Sequence, residues 1–222
     1  MFGPAMALAQ VSWEFAQEFS QAALSVFALA NPVGGLPNLV SITEDIPTAE
    51  RRPLLRLAGV IALGVICAMA LVGQVLLRYV FNIRIEEFAF AGGLVLVIVG
   101  MQRILSSGQK HRLPEPQSPE ERRQVQLSLA VSPLAMPLLV GPGSIVNVML
   151  LADQHGRLFA VGACVAAFAA VILILNYSHI VYRLMGRLGA LAVGRVLQVF
   201  IVAIGVKFCF RALSAAFPAL LK

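Results

Sequence analysis

The sequence predicts an all-α membrane protein: six transmembrane helices forming a 3+3 inverted repeat, with helices 1 and 4 broken at mid-membrane. Three observations carry this prediction. The 222-residue chain is 59% hydrophobic and only 13% charged, with a mean hydropathy of +0.85. A soluble domain carries about a quarter charged residues, so most of this surface calls for an apolar solvent. Six apolar stretches reach the roughly 20 residues that a bilayer core demands. Two of them, at corresponding places in the two halves, are interrupted by Pro-Gly clusters.

In order, the first segment is Ala22–Thr43, which holds no charge, and the second is Leu57–Leu77, with Gln74 as its strongly polar side chain. The third runs from Phe88 to Leu105, with Arg103 able to snorkel at its end. Residues 106–126 are rich in Pro, Ser and charge and read as a solvated linker. The fourth and fifth segments, Leu127–Ala152 and Leu158–Tyr182, are again uncharged. The sixth spans Leu188–Phe210, with Arg195 and Lys207 near its ends. Residues 1–222 thus form one polytopic domain, with repeat 1 at about 15–105 and repeat 2 at about 127–216.

Lys and Arg set the orientation. Alternating spans put 11 of them on one side, among them Arg51, Arg52, Arg56 and Arg183, and 6 on the other, including Arg78, Arg84 and Arg157. The richer side is expected to be cytoplasmic, which places both termini outside the cytoplasm of an inner-membrane protein. No Lys or Arg precedes Arg51, so a signal peptide lacks its basic region. The net charge of +6 lies beside apolar segments and forms no basic stripe with aromatics, which argues against nucleic acid. Cys67, Cys164 and Cys209 sit in apolar runs without CxxC spacing and read as small buried hydrophobes, with no metal implied.

The informative residues are the breaks. The first is Asn31-Pro32-Val33-Gly34-Gly35-Leu36-Pro37; the second is Gly141-Pro142-Gly143-Ser144, preceded by Pro133 and Pro137. Proline cannot donate to the carbonyl four residues back, so Pro32 frees that of Ala28 and Pro142 that of Leu138. Glycines then let the backbone leave helical geometry. In hydrocarbon such backbone survives only inside protein or against a wet cavity, and one matched pair of breaks suggests a shared cavity. A single proline kink is common without any ligand; two matched clusters point to a transporter site. The half-helix after each break presents N–H groups suited to a carboxylate, and the half-helix before it presents carbonyls suited to an ammonium group. Ser144 is placed to cap Ile145–Ala152 or to offer its hydroxyl to a ligand. The other polar groups, Asn31, Asn38, Ser41, Ser132 and Asn147, are uncharged, so the site reads as one for a small neutral amino acid.

The runs LANPVGGLPNLVSIT (Leu29–Thr43) and SPLAMPLLVGPGSIVNVMLLA (Ser132–Ala152) resemble the two signature regions of the MarC family of six-span integral membrane proteins. The likeness extends over nearly the whole chain, including Ala91–Gly93. Gly35 stands where the family more often carries Asn. Characterised archaeal relatives are similar to transporters of glycine and alanine. By that resemblance Asn31, Gly34 and Gly35 match the first substrate-facing motif, and Gly141, Gly143 and Ser144 the second. Together with Pro32, Pro37, Pro142 and Asn147 these form the expected substrate site.

Other features read more plainly. Glu86, Glu87, Glu44 and Asp45 are interface charges, Lys207 snorkels, and His179 is a buried or interfacial histidine. No carboxylate lies at mid-depth, so the sequence identifies no coupling ion. Small residues at four-residue spacing, Ala58/Ala62, Gly64/Ala68 and Gly162/Ala166/Ala170, suit close helix packing. No HExxH, Walker or GxSxG motif is present, so catalysis and cofactors are not expected. The expected function is secondary transport of small neutral solutes. A channel-like pore, or a non-transporting membrane chaperone or assembly protein, is the alternative.

Overall fold

A chain that must satisfy its own backbone groups in lipid has two solutions, helices or a closed barrel. The computed structural model, which describes residues 4–43, 46, 48–105 and 139–217, shows the first: its described residues hold helices and no strand. The α-helices are α1 (Pro4–Ala30), α2 (Leu36–Ile42), α3 (Thr48–Val75), α4 (Ile85–Leu105), α5 (Pro142–His155), α6 (Arg157–Asn176) and α7 (Ser178–Ala216). Four helical stretches among these are long and apolar enough to cross a membrane: Glu50–Phe81, Ile85–Leu105, Arg157–Asn176 and Leu188–Ala216. They correspond to expected segments two, three, five and six.

Segments one and four are each interrupted at their Pro-Gly cluster, and neither is among these four. Helix α1 begins well before Ala22, at Pro4, and stops at Ala30. Helix α5 starts only at Pro142, and its 14 residues rise about 21 Å, short of the roughly 30 Å core. Ser132, Pro133, Pro137 and the linker 106–126 lie outside the described residues, as do Glu44 and Asp45. Segment five is shorter than expected. The apolar run continues to Tyr182, but the backbone leaves the helix at Tyr177 (φ −102°, ψ 16°), so α6 ends at Asn176.

The connections obey local backbone rules. Helix α3 runs on through a π turn, Leu76–Phe81, and Asn82 ends it in the left-handed region at φ 52°, which Asn tolerates better than most residues. Gly156, at φ 91° and ψ 158°, joins α5 to α6 in a conformation open essentially to glycine alone.

Two antiparallel pairs form the body of the fold. Helices α3 and α6 bury Ala58, Ala62, Ile66 and Ala70 against Ala160, Cys164, Phe168 and Val171. Cys67 and Cys164 face each other across this seam, and all three cysteines are free. Helices α4 and α7 make the most extensive pairing, and there the backbones touch. A Cβ on Gly93 would fall 2.6 Å from the Gly205 carbonyl oxygen, and one on Gly205 would fall 2.8 Å from that of Gly93. The expected packing role of Gly64/Ala68 is not seen: both residues are exposed, and a Cβ on Gly64 would meet nothing within 4 Å.

Polar bonds define the two ends of the bundle. At one, Arg56 Nε donates to Asn176 Oδ1 at 2.9 Å. At the other, Gln74 Nε2 donates to Asp153 Oδ1 at 3.0 Å, and His155 faces Glu18 at 3.5 Å beside the Phe15–Phe19–Phe159 cluster. Arg56 and the α6–α7 junction therefore share an end, and the two turns at Asn82 and Gly156 lie toward the other.

Candidate functional site

The first break begins where α1 makes its last regular bond, from Asn31 N to Phe27 O at 3.0 Å. Asn31 then takes φ 43°, the left-handed region, while 7% exposed. The glycines were expected to supply this conformational freedom, yet positive φ falls on the asparagine. Its side chain accounts for this: Oδ1 accepts the Gly34 N–H at 3.1 Å, and its carbonyl accepts the Gly35 N–H at 3.1 Å. Gly34 is needed for proximity instead. A Cβ there would lie 2.5 Å from Asn31 Oδ1, and a Cβ on Gly194 of α7 would come within 3.2 Å of Gly34 Cα. Pro32 and Gly35 are buried, and Pro37 sits in the first turn of α2, where proline's missing N–H costs little. Val33 O accepts the Leu36 N–H at 3.1 Å. The first break thus engages the amides of Gly34, Gly35 and Leu36 itself, contrary to the expectation that both breaks offer such groups to a ligand.

The second break is built differently. Gly141 is extended (φ −86°, ψ 168°) and caps α5 through its carbonyl, which accepts from Ser144 N at 3.0 Å and Ile145 N at 3.3 Å. Pro142 occupies the first helical position, so it starts a helix rather than kinking one. Gly143 is buried where a Cβ would overlap the side chain of Leu96 on α4. Ser144 lies inside the first turn and does not cap α5, because the capping position belongs to Gly141. Ser144 is 3% exposed, and its buried hydroxyl has no hydrogen-bond partner among the described residues.

Asn147, one turn further, is 6% exposed and joins the two broken segments. Its Nδ2 donates to Ser25 Oγ on α1 at 2.9 Å, and that hydroxyl donates to Ala22 O at 2.8 Å. Leu29, Leu96, Val146, Leu150 and Ile201 form one buried cluster. The cluster therefore reaches within two residues of Asn31 on one side and of Ser144 on the other. The site residues accordingly fall into two groups: Asn31, Gly34 and Gly35 at the first break, where Gly34 meets α7, and Gly143, Ser144 and Asn147 at the second, where Gly143 meets α4 and Asn147 meets α1. Their side chains are uncharged, and α5 carries no acidic residue in its first turn.

Ser25, Leu96 and Gly194 were not anticipated from the sequence. Ser25 is a lone hydroxyl in an apolar run, and its partner is 122 residues away. A double-mutant cycle with Ser25→Ala and Asn147→Ala, read by thermal unfolding in detergent, should give a coupling of about 0.6 kcal/mol, typical of interhelical hydrogen bonds in membranes.

Comparison with known proteins agrees with this architecture. Residues 16–217 match the family model described as MarC family integral membrane protein. The chain is 33% identical over 194 residues to a UPF0056 membrane protein of Archaeoglobus fulgidus, covering 86% of this chain and 89% of the relative. It is 28% identical to the UPF0056 membrane protein YhcE of Escherichia coli, over 89% of this chain and 93% of that one. Against the UPF0056 membrane protein YvbG of Bacillus subtilis it is 25% identical over 89% of this chain and 94% of that protein. No solved structure matches. With nearly its full length matched by the family model and a third of the aligned residues identical in one relative, the chain belongs to the MarC family of multi-pass integral membrane proteins.

Proposed function

We propose that this protein is a secondary transporter of small neutral solutes, most simply glycine or alanine, with its substrate site at the two helix breaks. The observation that carries the reading is the buried hydroxyl of Ser144, which has no partner among the described residues. An unsatisfied buried donor costs about 1–3 kcal/mol, so a group kept in that state is suited to an incoming polar ligand. The N-terminus of α5 around it favours a carboxylate. Because the first break already engages the amides of Gly34, Gly35 and Leu36, the carboxylate is assigned to the second. The uncharged lining leaves nothing to neutralise a charged side chain, which favours a small neutral zwitterion.

A 3+3 inverted repeat of six spans suits this reading. The reciprocal Gly93–Gly205 contact is what a two-fold axis between α4 and α7 would produce. Gly205 follows Gly93 by 112 residues, and Ile172, the neighbour of Gly59 across the other helix pair, follows it by 113. Pro142 follows Pro32 by 110. A shift of 110 to 112 residues thus relates the Gly93–Gly205 contact and the two breaks. Alternating access would come from one half moving against the other, in an inner membrane with both termini outside the cytoplasm.

The test is a thermal-shift screen of the purified protein against the common amino acids. A ligand at 100 times its Kd should add about 2.7 kcal/mol of stability. Ser144→Ala should abolish the glycine shift while leaving the unliganded protein as stable as before, or about 1 kcal/mol more so. No shift with any amino acid would favour the chaperone or assembly alternative. In proteoliposomes, flux rising linearly with substrate rather than saturating would favour a pore.

A further inference from the structure

Helix α6 ends at Asn176, and the next long apolar stretch begins only at Leu188. The chain between them is not a bare loop. Ser178–Met185 is helical, and Gly186, at φ 64° and ψ 174°, sets it off from the rest of α7. Along this short segment Ile180 and Leu184, one turn apart, are 47% and 82% exposed, while His179 and Arg183, likewise one turn apart, are exposed beside them. His179, Tyr182, Arg183 and Gly186 line a shallow cavity of about 510 Å³ at the elbow. Arg56, bonded to Asn176, and the exposed Arg52 one turn before it add positive charge at the same end of the bundle. Glu50, in the first turn of α3, is engaged in an interaction of its own.

The geometry points to a binding site for the headgroup of an anionic phospholipid at this elbow, a role independent of the transport reading. A segment between two spans, apolar on one stripe and basic on the next, has the make-up of an interfacial helix. The Arg183 guanidinium matches a phosphodiester in charge and geometry, and the His179 N–H and Tyr182 O–H are further donors in the same cavity. Acyl chains lie along Ile180 and Leu184, apolar surface that a free anion would not use. Each basic residue near the headgroup layer contributes about fivefold in affinity for anionic lipid.

The experiment compares delipidated full-length protein titrated with phosphatidylglycerol or with phosphatidylcholine of the same acyl chains, bound lipid being counted by native mass spectrometry. Phosphatidylglycerol should be retained preferentially. Arg183→Ala should weaken that retention about fivefold, and Arg183→Lys should keep most of it. Arg157→Ala, an equal loss of charge at the opposite end, should leave it intact. Leu184→Asn should weaken lipid binding without creating any phosphate binding. Equal retention of the two lipids, an unchanged Arg183→Ala variant, or an equal loss in Arg157→Ala would overturn the assignment. So would inorganic phosphate displacing phosphatidylglycerol at equal concentration, since the site would then serve a free anion.

Discussion

Replacing Asn31 by alanine is expected to lower the stability of the protein by about 2–3 kcal/mol, measured by thermal or SDS-induced unfolding in detergent. Two costs combine. A non-glycine residue held at φ 43° costs about 1–2 kcal/mol, a strain the asparagine offsets with its local bonds. Losing Oδ1 deprives the Gly34 N–H of its acceptor, worth about 1 kcal/mol net. Asn31→Gly separates the two, because glycine relieves the strain and still lacks the acceptor. The glycine variant should therefore recover about half of the loss. Equal stability of the alanine variant and the parent would show that the break does not depend on Asn31.

The second large effect is expected at the helix crossing. Gly93→Ala and Gly205→Ala should each cost about 2–3 kcal/mol, at the upper end of overpacking penalties. The new methyl group meets a backbone carbonyl oxygen, 2.6 Å away in one case and 2.8 Å in the other, and a backbone cannot turn aside as a side chain can. The double variant should cost less than the two single effects together, since one widening of the α4–α7 gap accommodates both methyl groups. Gly64→Ala is the control. Its Cβ would meet nothing within 4 Å, so it should be neutral or slightly stabilising through helix propensity. If Gly93→Ala matched Gly64→Ala, the close approach of α4 and α7 would not be a determinant of the fold.

Local signals are legible in the sequence. The apolar runs that became α4 and α6 stand out by length and by their lack of charge, and Gly141-Pro142 announces the start of α5 because proline at a first helical position is a one-residue signal. The first break was equally visible in NPVGGLP. Its internal chemistry was not. Which residue of that run takes the left-handed conformation depends on which side chain can reach the following amide, and Asn31 does so while Gly34 and Gly35 do not need to. The extent of α1 back to Pro4 was missed as well, because Glu14 and Glu18 dilute its hydropathy without weakening its helicity. Small-residue spacing was ambiguous by nature. Ala58/Ala62 and Gly64/Ala68 look alike as text, and only the first pair faces a neighbouring helix.

By itself, the sequence determined the solvent of this protein, its helical class and the positions of its two breaks. These follow from hydropathy and from proline and glycine, whose effects act within a turn or two of the residue that causes them. The tertiary structure decided what each break offers. It set Gly143 against Leu96, joined Asn147 to Ser25 across 122 residues, and left the Ser144 hydroxyl buried without a partner among the described residues. Those outcomes depend on which helices meet at the breaks, and a group's satisfaction or isolation in a low-dielectric interior is a property of its neighbours in space.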